Sequence, residues 1–243
     1  VGYPYGCAEQ TGSRTEGLLA ALNLPESVSG TPHTLLHEWA SGGLQRLYWM
    51  QRLDGSMPYW RGGKANDWIT LRTAVIALKA RDQGVEAPAG LLKGLLSYTA
   101  RIARPSQSKS NTDLAALACR VLARGEMPDK ALIATLASNP TKLTLAGRAH
   151  LADACAAIGD LETAETLVDM FTSPASLQPD DGGRFTSGVH QCAIALEVLT
   201  HIAPKHPIAV ELVRYINAAR TARGWRTTYE NAAAISALSR WHA

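Results

Sequence analysis

Apolar residues recur at helical spacing along most of the chain, and the strict alternation typical of strands is scarce. The pattern predicts about a dozen helices joined by short loops. No low-complexity linker divides the sequence, so residues 1–243 are predicted to form a single domain. The predicted helices cover Thr11–Asn23, Thr34–Gln51, a segment capped by Asn66 or Asp67, a segment after Pro88, a segment capped by Asn111 or Thr112, short segments after Pro128 and Leu143, Leu161–Met170, Gly188–Ile202, Ile208–Ala222 and Tyr229–Trp241.

A weak internal repeat organises these helices. Five similar apolar segments recur at intervals of about 35 to 45 residues, the period of stacked helix pairs. They are Thr73–Leu78, Leu114–Cys119, Ala149–Ala154, Ala193–Val198 and Ala232–Leu238. Each segment is apolar on most faces of its predicted helix, as buried helices are, and each precedes a more amphipathic helix. The alternation predicts an all-α closed α/α toroid with an inner and an outer ring of helices, rather than an open solenoid.

Composition narrows the class of protein. A hydrophobic content of 46% excludes intrinsic disorder, and a net charge of +3 is too weak to indicate a nucleic-acid partner. No apolar run approaches the length of a membrane helix, so we expect no direct membrane contact. The chain begins at Val1 without an initiator Met or a leader, so we expect a domain excised from a larger multidomain protein.

Aromatic side chains are few, and most are tryptophans or tyrosines. Four tryptophans lie near predicted helix ends and loops, where we expect them to plug the toroid. They are Trp49, Trp60, Trp68 and Trp225.

The segment Tyr3–Thr11 carries the strongest chemical signal. Cys7 lies at the mouth of a predicted helix, where amide N–H groups favour a thiolate. Gln10 follows three residues later, so its side-chain carbonyl can lie against the sulfur. Attack of the thiolate on that carbonyl would expel ammonia and leave an internal thioester, an acyl group open to amines, hydroxyls or water. The alternative is a buried cysteine beside a helix cap.

Neighbouring residues have both chemical and structural interpretations. Gly6 frees the backbone just before the thiol. Glu9 either orients the helix start or polarises the site, or else is a solvated carboxylate favoured by the helix dipole. Tyr3 and Tyr5 either shield the thioester from water or pack in the core.

The motif resembles a known family. Gly6–Gln10 matches the Gly-Cys-x-Glu-Gln signature of the α2-macroglobulin and complement thioester proteins, and Tyr3–Thr11 resembles the bacterial α2-macroglobulins in particular. The resemblance spans nearly the whole chain and implies a thioester domain with an (α/α)6 toroid. Further similar segments are Leu44–Leu47, Met50–Gly55, Asp67–Thr70 and Trp225–Ala233.

The resemblance implies a covalent protease trap that serves in bacterial defence. A lysine amine of the target protease attacks the acyl carbon of Gln10, Cys7 leaves as thiolate, and an isopeptide bond remains. Because each molecule reacts once, this is an endopeptidase inhibitor without a cofactor, not an enzyme. The implied partners are target proteases and other domains of the same protein. The implied location is the periplasm, with any membrane anchor in a part of the protein outside this chain.

Some complement thioester proteins carry a histidine, on the loop before the third inner helix, that acts as an intermediate nucleophile. By order of elements the matching loop here is Arg104–Asp113, which contains no histidine. The resemblance is therefore to the branch that reacts directly with amines.

Two other groups of residues suggest different chemistry. His190 and Cys192, with Asp180 and Asp181 upstream, suggest a zinc site, but the spacing has no closed metal pattern and we predict no metal. The run Asp180–Gly183 suggests an acid pair of a toroid enzyme, such as a terpenoid cyclase or glycosidase, although turn chemistry explains it better.

The remaining cysteines leave a question open. Cys119, Cys155 and Cys192 lie in repeated apolar segments and are either buried small hydrophobes or, for one pair, a disulfide. A scaffold domain whose thioester is unformed or hydrolysed is also an alternative to the reactive site.

Overall fold

The chain is all-α, as predicted. The computed structural model describes residues 6–103, 112–177 and 187–242, and within these ranges it contains twelve α-helices, two short 3₁₀ segments and no β-strand. The helices are α1 (Ala8–Ala21), α2 (Glu26–Ser29), α3 (His33–Met50), α4 (Asp67–Asp82), α5 (Ala89–Ile102), α6 (Thr112–Arg124), α7 (Lys130–Ala137), α8 (Leu145–Ala157), α9 (Leu161–Asp169), α10 (Gly188–Ile202), α11 (Ile208–Ala218) and α12 (Thr228–His242).

The helices form two concentric rings. Helices α1, α4, α6, α8, α10 and α12 pack side by side in that order, and α12 returns to pack on α1, which closes the inner ring. Helices α3, α5, α7, α9 and α11 lie outside them, and most bridge two neighbouring inner helices. The predicted toroid is confirmed, with six inner helices and five long outer helices among the described residues.

Local signals set most of the helix boundaries. α10 begins at Gly188 and ends at Ile202, as predicted. Asn66 caps α4, because its side-chain oxygen accepts a hydrogen bond from the Ile69 amide at 2.9 Å. α11 was predicted too long and ends at Ala218. The one-turn helix α2 was missed because too few residues repeat to reveal a period.

The five repeated apolar segments lie in α4, α6, α8, α10 and α12, all of them inner helices. The sixth inner helix, α1, lacks the repeat, because the residues that it buries include Thr11, Ser13, Thr15 and Glu16. The inner ring therefore surrounds a centre that is partly polar.

Charged side chains connect the inner helices, and of the four tryptophans Trp68 contributes through its edge-on contact with Tyr229 of α12. Trp49 and Trp60 are each 56% exposed, so the prediction that they plug the ring is wrong. All six inner helices contribute to a hydrogen-bonded network. We call its five charged members the central ion cluster: Glu16, Lys79, Arg120, Asp153 and Glu197.

Lys79 is the hub of this cluster. Its Nζ donates to Glu16 at 2.9 Å, to Glu197 at 2.6 Å and to the Ser236 hydroxyl at 3.0 Å. Arg120 donates to the other oxygen of Glu197 at 2.7 Å and to Asp153 at 2.8 Å. These buried charges are thus paired and hydrogen-bonded, as burial requires.

The carboxylates of the cluster remain charged despite their burial. Burial alone raises the pKa of Glu197, but Lys79 and Arg120 outweigh it and hold that pKa well below its ordinary value. Burial likewise opposes ionisation of Glu16, and Lys79 and Arg72 again lower its pKa. The charged state is therefore part of the fold.

His190 lies beside the cluster in a neutral state. Its Nε2 is hydrogen-bonded to the hydroxyl of Tyr229, and its Nδ1 has no hydrogen-bond partner among the described residues. Burial, followed by the positive charge of Arg72, lowers the pKa of His190 to about 3.

The structure also answers the question of a disulfide among the three helix cysteines. Cys119, Cys155 and Cys192 are buried free thiols in α6, α8 and α10, so they behave as small hydrophobes and none pairs in a disulfide. Burial raises the pKa of the thiols to about 12, 11 and 12, respectively. In the same described ranges, no helix combines the length and apolarity needed to cross a membrane.

Replacing one acid of the cluster should strongly destabilise the fold. Glu197→Gln leaves Lys79 and Arg120 without their shared counter-ion, so we expect the free energy of unfolding to fall by about 3–5 kcal/mol. Urea denaturation measures this change. The exposed Glu86→Gln is the matched control and should change stability by less than about 0.5 kcal/mol. Equal effects of the two substitutions would show that the cluster contributes nothing.

Acid should destabilise the fold through His190. Between its ordinary pKa near 6.5 and its folded value of about 3, the unfolded chain binds more protons than the folded chain, so stability falls as pH falls. This residue should cost about 2 kcal/mol on going from pH 7 to pH 5. Urea denaturation at both pH values should show a shallower pH dependence for His190→Gln, and an unchanged slope would contradict the assignment.

Candidate functional site

The residues of the predicted thioester lie at the start of α1. Cys7 is the N-cap, with extended backbone (φ −67°, ψ 175°), and Gln10 is the third helical residue. The Cys7 amide donates to the side-chain carbonyl oxygen of Gln10 at 3.1 Å, in a capping-box arrangement. α1 begins earlier than predicted because Cys7 itself caps the helix. The geometry thus brings the glutamine carboxamide back to the cysteine residue.

Thiol and carboxamide differ in their exposure. Cys7 is 9% exposed, whereas Gln10 lies on the surface. The amide groups at a helix start can stabilise an anionic sulfur. The site therefore combines a buried cysteine with an exposed glutamine whose side-chain carbonyl is hydrogen-bonded to the cysteine amide.

Gly6 leaves room for Gln10. A Cβ at this position would lie 3.3 Å from the Cβ of Gln10 and 3.5 Å from its carbonyl oxygen. The Gly6 carbonyl also accepts a hydrogen bond from Arg46 at 3.2 Å. Because Gly6 has no side chain, the Gln10 side chain can pack directly against its backbone.

The loop before α4 holds the first turn of α1. The carbonyl of Tyr59 accepts from the Ala8 amide at 2.8 Å, which satisfies a donor that the helix leaves free. The loop is itself anchored, since the Met57 amide donates to the Thr70 hydroxyl at 2.8 Å. It turns at Gly55, where φ is +85° and a Cβ would meet the Gly94 carbonyl at 2.2 Å. A turn therefore follows α3 directly.

Glu9 connects the site to the rest of the inner ring. Its carboxylate accepts from the Ser13 hydroxyl at 2.6 Å and from the Thr228 hydroxyl at 3.0 and 3.2 Å. The Arg72 guanidinium lies 3.8 Å from the same carboxylate and donates to the Glu9 carbonyl at 3.3 Å. The Glu9 carboxylate is therefore held by side chains of α1, α4 and α12, an arrangement that favours a role in orienting the helix start.

A cleft of about 510 Å³ opens beside the site. It lies between α1 and α3, and the first residue of α12, Thr228, also lines it. Gln10 and Arg46 stand at one end, and Glu38 and Trp39 belong to its α3 wall. The exposed carboxamide of Gln10 thus faces a space large enough for a side chain of another molecule.

Some predicted site residues cannot be placed. Tyr3 and Tyr5 lie outside the described residues, as do Asp180 and Asp181. Of the other two residues that suggested a zinc site, His190 is hydrogen-bonded to the Tyr229 hydroxyl, and Cys192 is packed in the apolar core. No cluster of three metal-ligating side chains occurs within the described ranges.

Sequence reasoning missed four contributors to the site. Arg46, Tyr59, Arg72 and Thr228 contact the first turn of α1 from elsewhere in the chain. Arg46 and Thr228 fall in segments that resemble the thioester proteins, which was the available signal. A carbonyl contact such as that of Tyr59 leaves no trace in side-chain patterns.

Comparison with known proteins identifies the fold. No protein-family model matches the sequence, and a search of curated proteins finds no relative. Among solved structures, native α2-macroglobulin of Escherichia coli, spanning domain MG7 to the C-terminus, matches with a TM-score of 0.81 at 20% identity. The match covers 98% of this chain and 40% of that one.

Two further structures agree. Salmonella α2-macroglobulin reacted with methylamine matches with a TM-score of 0.81, and the Escherichia coli protein activated by porcine elastase matches with 0.80, both at 20% identity over 98% of this chain. The chain spans only 17% and 23% of those chains. The molecule is a closed α/α toroid, and its fold is that of a domain in the C-terminal region of the bacterial α2-macroglobulins.

Removing the Glu9 carboxylate should loosen the link between α1 and its neighbours. Glu9→Ala abolishes the hydrogen bonds from Ser13 and Thr228, so we expect the free energy of unfolding to fall by about 1–3 kcal/mol in urea. Glu165 on α9 is exposed, and its carboxylate forms no hydrogen bond with the described residues. Glu165→Ala removes the same chemical group and should change stability by less than about 0.5 kcal/mol. If both variants match the parent protein, Glu9 is only a surface carboxylate.

Proposed function

We propose that this chain is the thioester domain of a bacterial α2-macroglobulin-like protease inhibitor, and that Cys7 and Gln10 form its internal thioester. The observation that carries the proposal is the 3.1 Å hydrogen bond between the Cys7 amide and the Gln10 side-chain carbonyl. The Gly6–Gln10 motif and the shared toroid fold support it.

Formation of the thioester needs only these two side chains. The Cys7 sulfur attacks the carboxamide carbon of Gln10, a carbon–sulfur bond forms, and the carbon–nitrogen bond breaks. The nitrogen leaves as ammonia with the thiol proton. The amide groups at the start of α1 stabilise the sulfur while it is anionic.

Capture of a target releases the Cys7 sulfur again as a thiolate. The lone pair of a lysine amine on a protease forms a bond to the Gln10 acyl carbon, and the carbon–sulfur bond breaks with its electron pair on Cys7. The nitrogen proton passes to the thiolate or to solvent. Because thiolate is a better leaving group than an amine, the isopeptide bond is the stable product.

The amine attacks directly in this proposal. Residues 104–111 contain no histidine that could form an acyl intermediate. His190 is held by Tyr229 beside the central ion cluster. Direct attack suits a trap whose acceptor is a lysine.

The proposed partners follow from the same reasoning. Solved relatives include Escherichia coli α2-macroglobulin activated by porcine elastase and by trypsin, and we propose proteases as the targets of this chain as well. The protein would act once per molecule, as an inhibitor and without a cofactor. We further propose that residues 1–243 are one domain of a longer periplasmic protein whose other domains help to shield the thioester.

Mass spectrometry and thiol titration test the thioester. The intact chain should be lighter than its sequence by one ammonia, and denatured protein should titrate one thiol fewer than its four cysteines. Methylamine should add to Gln10 and release the missing thiol.

Two substitutions complete the test. Cys7→Ala should abolish the methylamine adduct and leave the helical circular-dichroism signal intact. The matched control Cys192→Ala removes a buried thiol from another inner helix and should retain the adduct. Full mass together with four titratable thiols in the untreated protein would refute a reactive thioester in this chain.

A further inference from the structure

The cleft beside Gln10 has a defined direction and length. Gly6 contacts Arg46 and Thr15 packs on Gly43, so α1 and α3 run antiparallel along its two sides. From Arg46 to Glu38 the cleft extends about 12 Å along α3, at 1.5 Å per residue. It is therefore long enough for a residue and its neighbour in a bound polypeptide, and Gln10 stands at one end.

The cleft lies open because nothing described covers it. Gln10, Arg14 and Glu38, which line it, are all exposed. Trp39 on the cleft wall is 45% exposed. A molecule approaching from solvent can therefore reach Gln10 through the cleft.

Two arginines and one glutamate line the cleft, so its lining carries a net positive charge. Arg14 lies one helical turn beyond Gln10 on the same face of α1, and side chains four residues apart on a helix are neighbours. Arg14 is exposed and forms no hydrogen bond or ion pair within the described ranges. Arg46, which donates to the Gly6 carbonyl, adds a second guanidinium to the lining, and Glu38 on α3 is its acidic member.

We infer that this cleft binds the acceptor and selects amines that carry a carboxylate close to the attacking nitrogen, with Arg14 as the specificity-determining residue. The inference rests on the proposed thioester. Arg14 has no carboxylate partner among the described residues, so an acceptor can supply one. The four-carbon stem of lysine separates its amine from its own carboxylate by a distance comparable to one helical turn.

The same charges favour the reactive form of the amine. A neighbouring guanidinium disfavours a bound ammonium and favours the neutral amine, which alone has the lone pair for attack. A carboxylate on the acceptor offsets the repulsion that a bare cationic amine meets at the cleft. Acceptors with an acidic group beside the lysine are thus bound and activated together.

The test compares three defined amines with the full 243-residue chain. Methylamine reports the reactivity of the thioester itself. N-acetyl-lysine carries a free carboxylate, and N-acetyl-lysine amide differs from it only in lacking that charge. We expect N-acetyl-lysine to react about two- to fivefold faster than its amide, the effect of one exposed ion pair, and this preference should vanish in high salt.

Variants assign the preference to Arg14. Arg14→Gln should abolish the preference and Arg14→Glu should reverse it, when the rates of the two lysine derivatives are compared with each other in the same variant. Lys130→Glu on α7 makes the same change in net charge far from the cleft and should keep the preference.

The outcomes separate this inference from the proposed function. If methylamine forms an adduct but the two lysine derivatives react equally, or if Arg14→Glu retains the parent preference, the inference is overturned and the thioester stands. If methylamine forms no adduct with the parent chain, the proposed thioester and the inference fall together.

Discussion

The packing of α12 on α1 is the contact on which the rest of the structure depends, because it joins the two ends of the inner ring. Chain entropy opposes this closure, since the helices are more than 200 residues apart in sequence. Lys79 offsets part of that cost by binding Glu16 of α1 and Ser236 of α12 at once. The central ion cluster thus fixes the register of a ring that apolar packing alone would leave less defined.

The same network reaches the site through Arg72. Its guanidinium donates to Glu16 at 3.0 Å and to Ser13 at 2.9 Å, and it lies over the ring of Tyr229. It also donates to the Glu9 carbonyl, next to the carboxamide residue. The orientation of the first turn of α1 is therefore coupled to closure of the whole ring. A loss of closure would move the carboxamide of Gln10 relative to Cys7 even though neither residue is altered.

The sequence predicted what local or periodic signals determine. Caps such as Asn66 and the repeated apolar segments located five inner helices, and the spacing of Cys7 and Gln10 predicted the candidate site. Helix α1 escaped the repeat because its inward face carries Glu16 and hydroxyl groups that satisfy charges of other helices. Its partners lie 56 to 63 residues away, at Arg72 and Lys79, and no single-sequence pattern reports such pairs.

Because the candidate site is open to solvent, the shape of the cleft alone discriminates poorly among small molecules that enter it. The cleft beside Gln10 has a volume of about 510 Å³, which is large enough for methylamine, water or a lysine side chain. Under the proposed thioester chemistry, discrimination among acceptors must then come from groups beyond the attacking atom. Charges along the walls can supply it, since Arg14 lines the α1 side and Arg46 and Glu38 line the α3 side. The packing of α3 against α1 thus determines which charged side chains line the cleft as well as the shape of the cleft.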